Sequence, residues 1–230
     1  MIPLRDSVPA RKFPLVNIIF IIINVVVFIY QQTLPEMQWQ QFVLTYGMVP
    51  ARLTGGVAAF LSREQGLEAL AAGAFPLISA NFLHGGWLHL IGNMVYLWVF
   101  GDNIEGRLGH LRYLFVYLLM GAASQLCHVV AHPLSAIPLV GASGAIAGVL
   151  GAYFILFPHS RVLTLLPLGF FITFVHIPAV IFLALWFVLQ LLNATLAAGV
   201  QPVAWWAHVG GFVIGAIVGL KKLKGRPRVY

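Results

Sequence analysis

Charge is scarce in this chain. Only 8% of its 230 residues are Asp, Glu, Lys or Arg, where a soluble domain carries about 25%. That shortage excludes an ordinary water-soluble globule. Acidic residues number six, and none lies inside a long apolar run. Cysteine occurs once, at Cys127, so no intramolecular disulfide and no Cys-based metal cluster can form, and the redox compartment stays open. No internal repeat is visible. The missing repeat and the missing intramembrane charge both count against a small transporter.

What is abundant is apolar surface, at 60% of residues. Runs long enough to cross a bilayer occur at about 14–31, 86–101, 112–131, 140–157, 177–195 and 203–220. A seventh, Val162–Val175, is interrupted by Pro167 and Gly169. As a helix it would reach about 21 Å across a roughly 30 Å hydrocarbon core, so an interfacial loop is expected there. The first run follows Arg11-Lys12 in the manner of a signal peptide. The residues after it, "QQTLPEMQWQ", hold no small-x-small cleavage site, so an uncleaved first span is expected.

Charge placement orients these spans. With six spans and the N-terminus inside, eleven of the thirteen Lys and Arg fall on the inner side: Arg5, Arg11, Lys12, Arg107, Arg112, Arg161 and the five after residue 220. Only Arg52 and Arg63 fall outside, as the positive-inside rule requires. The expected fold is an all-α polytopic membrane protein, a six-transmembrane-helix bundle with both termini cytoplasmic. It forms a single domain over 1–230. Residues 1–13 are its cytoplasmic N-terminal segment, 32–83 a long outer-side loop, and 221–230 a basic cytoplasmic tail. The net charge of +7 is then orientation signal, and no nucleic-acid partner is implied. The long loop carries Trp39, Phe42, Tyr46, Phe60 and Phe75, which suits the lipid headgroup region.

Polar groups inside spans are functional candidates, and counting residues to the inner boundary gives their depth. Fourteen residues separate Ser143 from Pro158, and twelve separate His208 from Lys221 and His89 from Asp102. At the helical rise these put Ser143 about 21 Å, and both histidines about 18 Å, above the inner face. Asn93 lies one turn deeper, and His84 near the outer boundary. Ser143, His89 and His208 thus share one height on three spans. Ser124 and His128 fall at comparable heights as rivals, without flanking glycines. Packing is a competing reading for the small residues. Gly144 and Gly148 sit at i, i+4, and Gly211 and Gly215 form a GxxxG.

A serine hydroxyl needs a base, and histidine titrates in the useful range. Ser143 opens its span, where backbone N–H groups lack intrahelical partners and favour developing negative charge. His89 and Asn93, at i, i+4, share one helix face and can add donors for an oxyanion. With no carboxylate at this depth, a Ser–His dyad fits better than a triad.

The motifs "HGGWLHLIGN" (84–93), "GASG" (141–144), "AHVGGFVIG" (207–215) and "GDNIEGRLG" (101–109) resemble the rhomboid intramembrane serine proteases. They run through roughly residues 84–219 in the family's order. The resemblance implies a rhomboid-like bundle with Ser143 as nucleophile and His208 as base. It implies oxyanion support from His89 and Asn93 beside Gly141 of the GxSG, and a further histidine, His84, in the second-span motif. Gly211 and Gly215 would bring the His208 helix onto the Ser143 helix, and Glu105 and Arg107 would tie helix ends together. Substrates would be transmembrane segments of membrane proteins, cut within the lipid bilayer, with no metal and no cofactor. The family's loop Trp-Arg pair is missing here. Ala147 stands where an aromatic commonly supports the base, so packing around His208 should differ. The short loops point to a bacterial inner membrane. Rival readings are a non-catalytic protein that binds transmembrane helices and a histidine-liganded redox or metal protein. The latter is weakened by the lack of carboxylates to orient the ligands.

Overall fold

The computed structural model describes residues 1–10, 12–64, 66–168, 171–196 and 203–224. Arg11, Gly169 and residues 225–230 of the basic tail, all used above in assigning topology, lie outside the described residues. The chain is mostly helical. It runs β1 (Ile2–Asp6), α1 (Leu15–Thr33), α2 (Glu36–Tyr46), α3 (Pro50–Leu61), α4 (Leu67–Ala74) and α5 (Pro76–Ser79), then a 3-10 turn at Ala80–Phe82. There follow α6 (Trp87–Leu108), α7 (His110–Ala131), α8 (Ser143–Leu156), β2 (Arg161–Leu168), β3 (Phe171–Pro178), α9 (Ala179–Leu196) and α10 (Trp205–Lys224).

Among the described residues four helices, α1, α7, α9 and α10, are long and apolar enough to cross a membrane. Their outer faces carry residues such as Ile22 and Val26 on α1, Phe115 and Leu119 on α7, and Ile181 and Leu185 on α9, all exposed. Large apolar side chains on the outside of a bundle fit a lipid solvent. Helix α8 differs. It has fourteen residues, about 21 Å of rise, and eleven of them are buried, so it forms the centre of the core.

Small residues let neighbours reach that centre. An added Cβ on Gly211 would strike the carbonyl of Gly144, and one on Gly215 the carbonyl of Gly148. Helices α8 and α10 therefore pack backbone against backbone, as small-xxx-small faces allow. On the α7 side, Gly144 lies against Ser124 and Gly148 against Met120.

The expectation of an all-α fold is corrected by a three-stranded antiparallel sheet in the order β1-β2-β3. The apolar stretch read as an interfacial loop is the β2–β3 hairpin, paired from Arg161↔Pro178 to Leu168↔Phe171. Its composition explains why. Val162, Thr164, Ile172, Thr173, Val175 and Ile177 are β-branched, and Val162 and Thr164 are both buried, at period two. Pro167, which lacks an N–H, lies beyond the β1 pairing, which stops at Ile2↔Leu165. The sheet is pinned to the bundle by Asp6, whose carboxylate accepts hydrogen bonds from the Tyr153 hydroxyl and from Asn103 Nδ2. Burial pushes the Asp6 carboxyl above its ordinary pKa.

The connection 32–83, read as a loop, is folded into α2–α5 and the 3-10 turn. It is tied to the segment before α8 by reciprocal backbone bonds between Met48 and Leu139, at 3.0 and 2.8 Å. At the other end of the bundle Glu105 of α6 is almost fully buried. Its carboxylate accepts the Val16 and Asn17 N–H groups at 2.9 and 2.8 Å, and it is also hydrogen-bonded to His110. Helix α1 has no side-chain cap of its own after Pro14, so Glu105 caps it from across the interface. Asn17 continues the clamp, donating to the Leu97 carbonyl and accepting from the Tyr113 hydroxyl.

Candidate active site

Ser143 is the first residue of α8, and the chain reaches it through Gly141 at φ +126°, a conformation that favours glycine. Space makes the same demand. A Cβ on Gly141 would come within 2.7 Å of the His89 ring at Cε1 and Nε2 and within 3.6 Å of Asn93 Nδ2. The Gly141 N–H is fixed to the Ala80 carbonyl at 2.9 Å. So the backbone before Ser143 passes directly under the two α6 side chains. Among the described residues α8 has no side-chain cap, which leaves its first-turn N–H groups open to a ligand.

The Ser143 Oγ lies 2.7 Å from His208 Nε2. The glycine packing described above makes this approach possible, because it seats α10 directly on α8. On the far side of the ring, His208 Nδ1 lies 2.8 Å from Gln190 Oε1 of α9. Trp186 and Trp205 flank the imidazole, with ring centroids 6.0 and 5.8 Å away. Ala147, where an aromatic was expected, is buried against Gly211. Aromatic contact to His208 comes instead from α9 and from the start of α10.

The α6 residues form a chain of their own. Asn93 Nδ2 is 2.9 Å from His84 Nε2. His84 is fully buried, and its backbone N–H and carbonyl are both bound by the Gln31 side chain, at 3.1 and 3.2 Å. His84 therefore sits behind Asn93, away from Ser143, and holds it. His89 stands 5.1 Å from the His84 ring centroid. Its Nδ1 faces the Gly85 N–H at a long 3.5 Å, which turns Nε2 toward Gly141.

A cavity of about 830 Å³ lies above Ser143, between α6 and α9. Trp87, His89, Asn93 and Tyr96 line one side and Trp186 and Gln190 the other, with Ser143 and His208 at the base. Its lining is mostly apolar, with a few convergent polar groups, as ligand sites commonly are. The rivals Ser124 and His128, both on α7, do not line this cavity. The Ser124 hydroxyl donates to the Gly121 carbonyl at 2.7 Å, and His128 stacks near His132 at 4.8 Å. No cluster of three or more metal-ligating side chains occurs among the described residues.

Gln190 was not singled out from the sequence. The signal was present, since Gln190 and Asn193 are the two amides inside the apolar run 177–195, where a polar side chain is costly without a partner.

The comparisons with known proteins follow the same map. The rhomboid domain matches residues 71–225. Among relatives, RHOMBOID-like protein 5 of Arabidopsis thaliana is 40% identical over 76 residues, covering 33% of this chain and 25% of that protein. Rhomboid protein 1, mitochondrial, of Saccharomyces cerevisiae is 35% identical over 91 residues, 38% of this chain and 26% of the relative. Rhomboid protease GluP of Bacillus subtilis is 31% identical over 170 residues, 74% of this chain and 31% of the relative. The chain spans under a third of the length of these three relatives. Because the domain match extends over well more than half of the sequence, and its helices carry the motifs described above, this integral membrane protein belongs to the rhomboid family.

Proposed function

We propose that the chain is an intramembrane serine endopeptidase that cuts transmembrane segments of membrane-protein substrates in or near the bilayer. The observation that carries this reading is the 2.7 Å approach of Ser143 Oγ to His208 Nε2 at the base of the α6–α9 cavity. In the proposed reaction Ser143 Oγ attacks the scissile carbonyl while His208 Nε2 takes its proton. Negative charge develops on the carbonyl oxygen near the Ser143 N–H and the His89 and Asn93 side chains, which serve as the oxyanion hole. The nitrogen of the new chain end leaves with the proton held on His208. Water then repeats the sequence on the acyl-enzyme, with His208 again as base.

A helical peptide bond is hydrogen-bonded and sterically covered, so the substrate must unwind locally before attack. Segments with helix-breaking residues are therefore preferred substrates. Entry between α6 and α9 follows from the cavity that separates them. The proposal includes six membrane crossings, α1, α6, α7, α8, α9 and α10, as one domain. The shorter α8 lies enclosed by its neighbours, and Lys and Arg placement puts both termini in the cytoplasm. The short connections suit a bacterial inner membrane.

The deciding experiment is labelling of the detergent-purified protein with a fluorophosphonate probe, with cleavage of a single-span test substrate in parallel. Wild type should label and cleave, while Ser143→Ala and His208→Ala should do neither and remain folded. Equal cleavage by Ser143→Ala would remove Ser143 as the nucleophile, and a wild type that neither labels nor cleaves would leave helix binding without catalysis as the function of this fold.

A further inference from the structure

The base in this site has a second hydrogen-bond partner besides Ser143, and it comes from α9. Gln190 Nε2 donates to the Trp186 carbonyl one turn earlier on the same helix, at 3.2 Å. With its amide nitrogen used there, its oxygen faces His208 Nδ1 at 2.8 Å. An amide oxygen only accepts, so Nδ1 must carry the imidazole proton. Nε2 is then the unprotonated nitrogen, and the Ser143 hydroxyl donates to it. The polarity of the whole chain, from serine to histidine to glutamine, is thus set by one backbone carbonyl of α9.

We infer that Gln190 is a positioning residue for the Ser143–His208 pair, selecting the tautomer in which Nε2 is the base and supporting the imidazolium that forms during attack. The inference rests on the protease reading and deepens it, because it makes α9 part of the reacting assembly and not only a wall of the cavity. A neutral amide does here what a carboxylate does in a Ser–His–Asp triad: it holds the ring and its tautomer. It does so without burying a charge in the bilayer, where an unpaired carboxylate is expensive. The arrangement also answers the departure at Ala147. With α8 offering only a methyl group there, the imidazole is held from the opposite side, by Gln190 on its Nδ1 edge and by the Trp186 ring beside it.

There is a consequence for entry. Only four of the eighteen residues of α9 are buried, and Gln190 is one of them. Outward movement of α9 to admit a substrate would break the Gln190 bond, so the base is correctly held only when α9 returns against the bundle. Substrate closure and base orientation are then one event.

The test compares wild type, Gln190→Met and Gln190→Glu in detergent, using the fluorophosphonate probe and the single-span test substrate. Methionine keeps the length and removes the acceptor. The expected result is a kcat lower by roughly 10²-fold with KM unchanged, and labelling slowed in proportion. Glutamate restores an acceptor to Nδ1 and should recover most of the rate. Histidine-selective ¹⁵N NMR, with His208→Ala to assign the signal, should show a single Nδ1-protonated His208 in wild type and a tautomer mixture in Gln190→Met. Wild-type kcat in Gln190→Met overturns the inference alone. Equal loss in both variants, with a raised KM or an unchanged His208 tautomer, also overturns it and assigns Gln190 to helix packing. A wild type that neither labels nor cleaves overturns the protease reading and this inference with it.

Discussion

The cavity has two kinds of wall. On one side α8 and α10 meet through Gly144, Gly148, Gly211 and Gly215, backbone carbonyl against backbone at these positions. On the other, α6 and α9 face each other across open space and reach the site only through side chains: His89, Asn93, Trp186 and Gln190. Burial follows the same division, with eleven of fourteen residues of α8 buried against four of eighteen in α9. The contrast separates two tasks. The Ser143–His208 distance is set by a rigid contact that cannot relax, whereas the groups that bind and orient sit on a side that can open. The proposed cleavage of a helix that arrives through the bilayer would need both properties at once.

The strongest way to break this division is through the closed wall. In Gly215→Val the new side chain meets the Gly148 carbonyl, which is backbone and cannot swing away. Overpacking of this kind commonly costs about 1–3 kcal/mol, and against backbone it should lie at or above the top of that range. The expected outcome is loss of cleavage together with a large drop in the thermal midpoint in detergent. As a control, Leu192→Ala on the exposed face of α9 should shift stability by no more than about 0.5 kcal/mol. An unchanged midpoint in Gly215→Val would mean that α8 and α10 are not in backbone contact.

Next in size is a lesion on the open side. Asn93→Ala removes one proposed oxyanion donor and should lower kcat by roughly 10²–10³-fold, with KM nearly unchanged. Steady-state kinetics on the single-span substrate decide this. A parallel loss of stability would instead mark Asn93, through its bond to His84, as part of the α6 scaffold.

How much of this was legible beforehand depends on the kind of signal. Ser143, His89 and His208 shared one height because helical rise converts residue counts into depth. The small residues of α8 and α10 pointed to close approach as one of two readings, because their i, i+4 spacing puts them on one helix face. The β2–β3 hairpin was missed because an apolar run of moderate length does not distinguish strand from loop. Its β-branched residues and the position of Pro167 carried the answer. The helices α2–α5 were read as loop because their apolar stretches are short and fall between the long ones. The partners of Asn17 and Gln190 were invisible for another reason. Each acts through a partner 80 or more residues away, or on another helix, as in the Asn17 bond to Leu97 and the Gln190 bond to His208. Sequence spacing along one helix carries no trace of such pairing.

A third prediction concerns where the open side is anchored. Glu105→Gln keeps the volume but faces a donor toward one of the two α1 N–H groups that the carboxylate now accepts. Leaving a buried N–H unsatisfied should lower stability by about 1–3 kcal/mol, read as a fall in the thermal midpoint. The protein that stays folded should keep its kcat, because Glu105 lies at the far end of α6 from Asn93. A fall in kcat at unchanged stability would show that the anchor is coupled to the site.

The smallest effect is expected behind the closed wall, at His128. By depth alone it rivals His208, and it is equally buried. What separates them is the direction of the side chain. His208 is bonded through both ring nitrogens, to Ser143 and to Gln190, while His128 Nδ1 has no hydrogen-bond partner among the described residues and its ring lies beside His132. The one serine of α7, Ser124, lies near Ser143 but donates its hydroxyl hydrogen bond to the Gly121 carbonyl. His128→Ala should therefore cleave at close to the wild-type rate, with a stability loss of about 1 kcal/mol from the lost packing. The sharper form of the test is the pair of variants side by side. If His128→Ala is inactive and His208→Ala active, the base comes from α7, and the α8–α10 contact is packing alone. If the order is as expected, depth in the membrane selects the candidates, and it is the backbone contact of α8 with α10 that chooses between them.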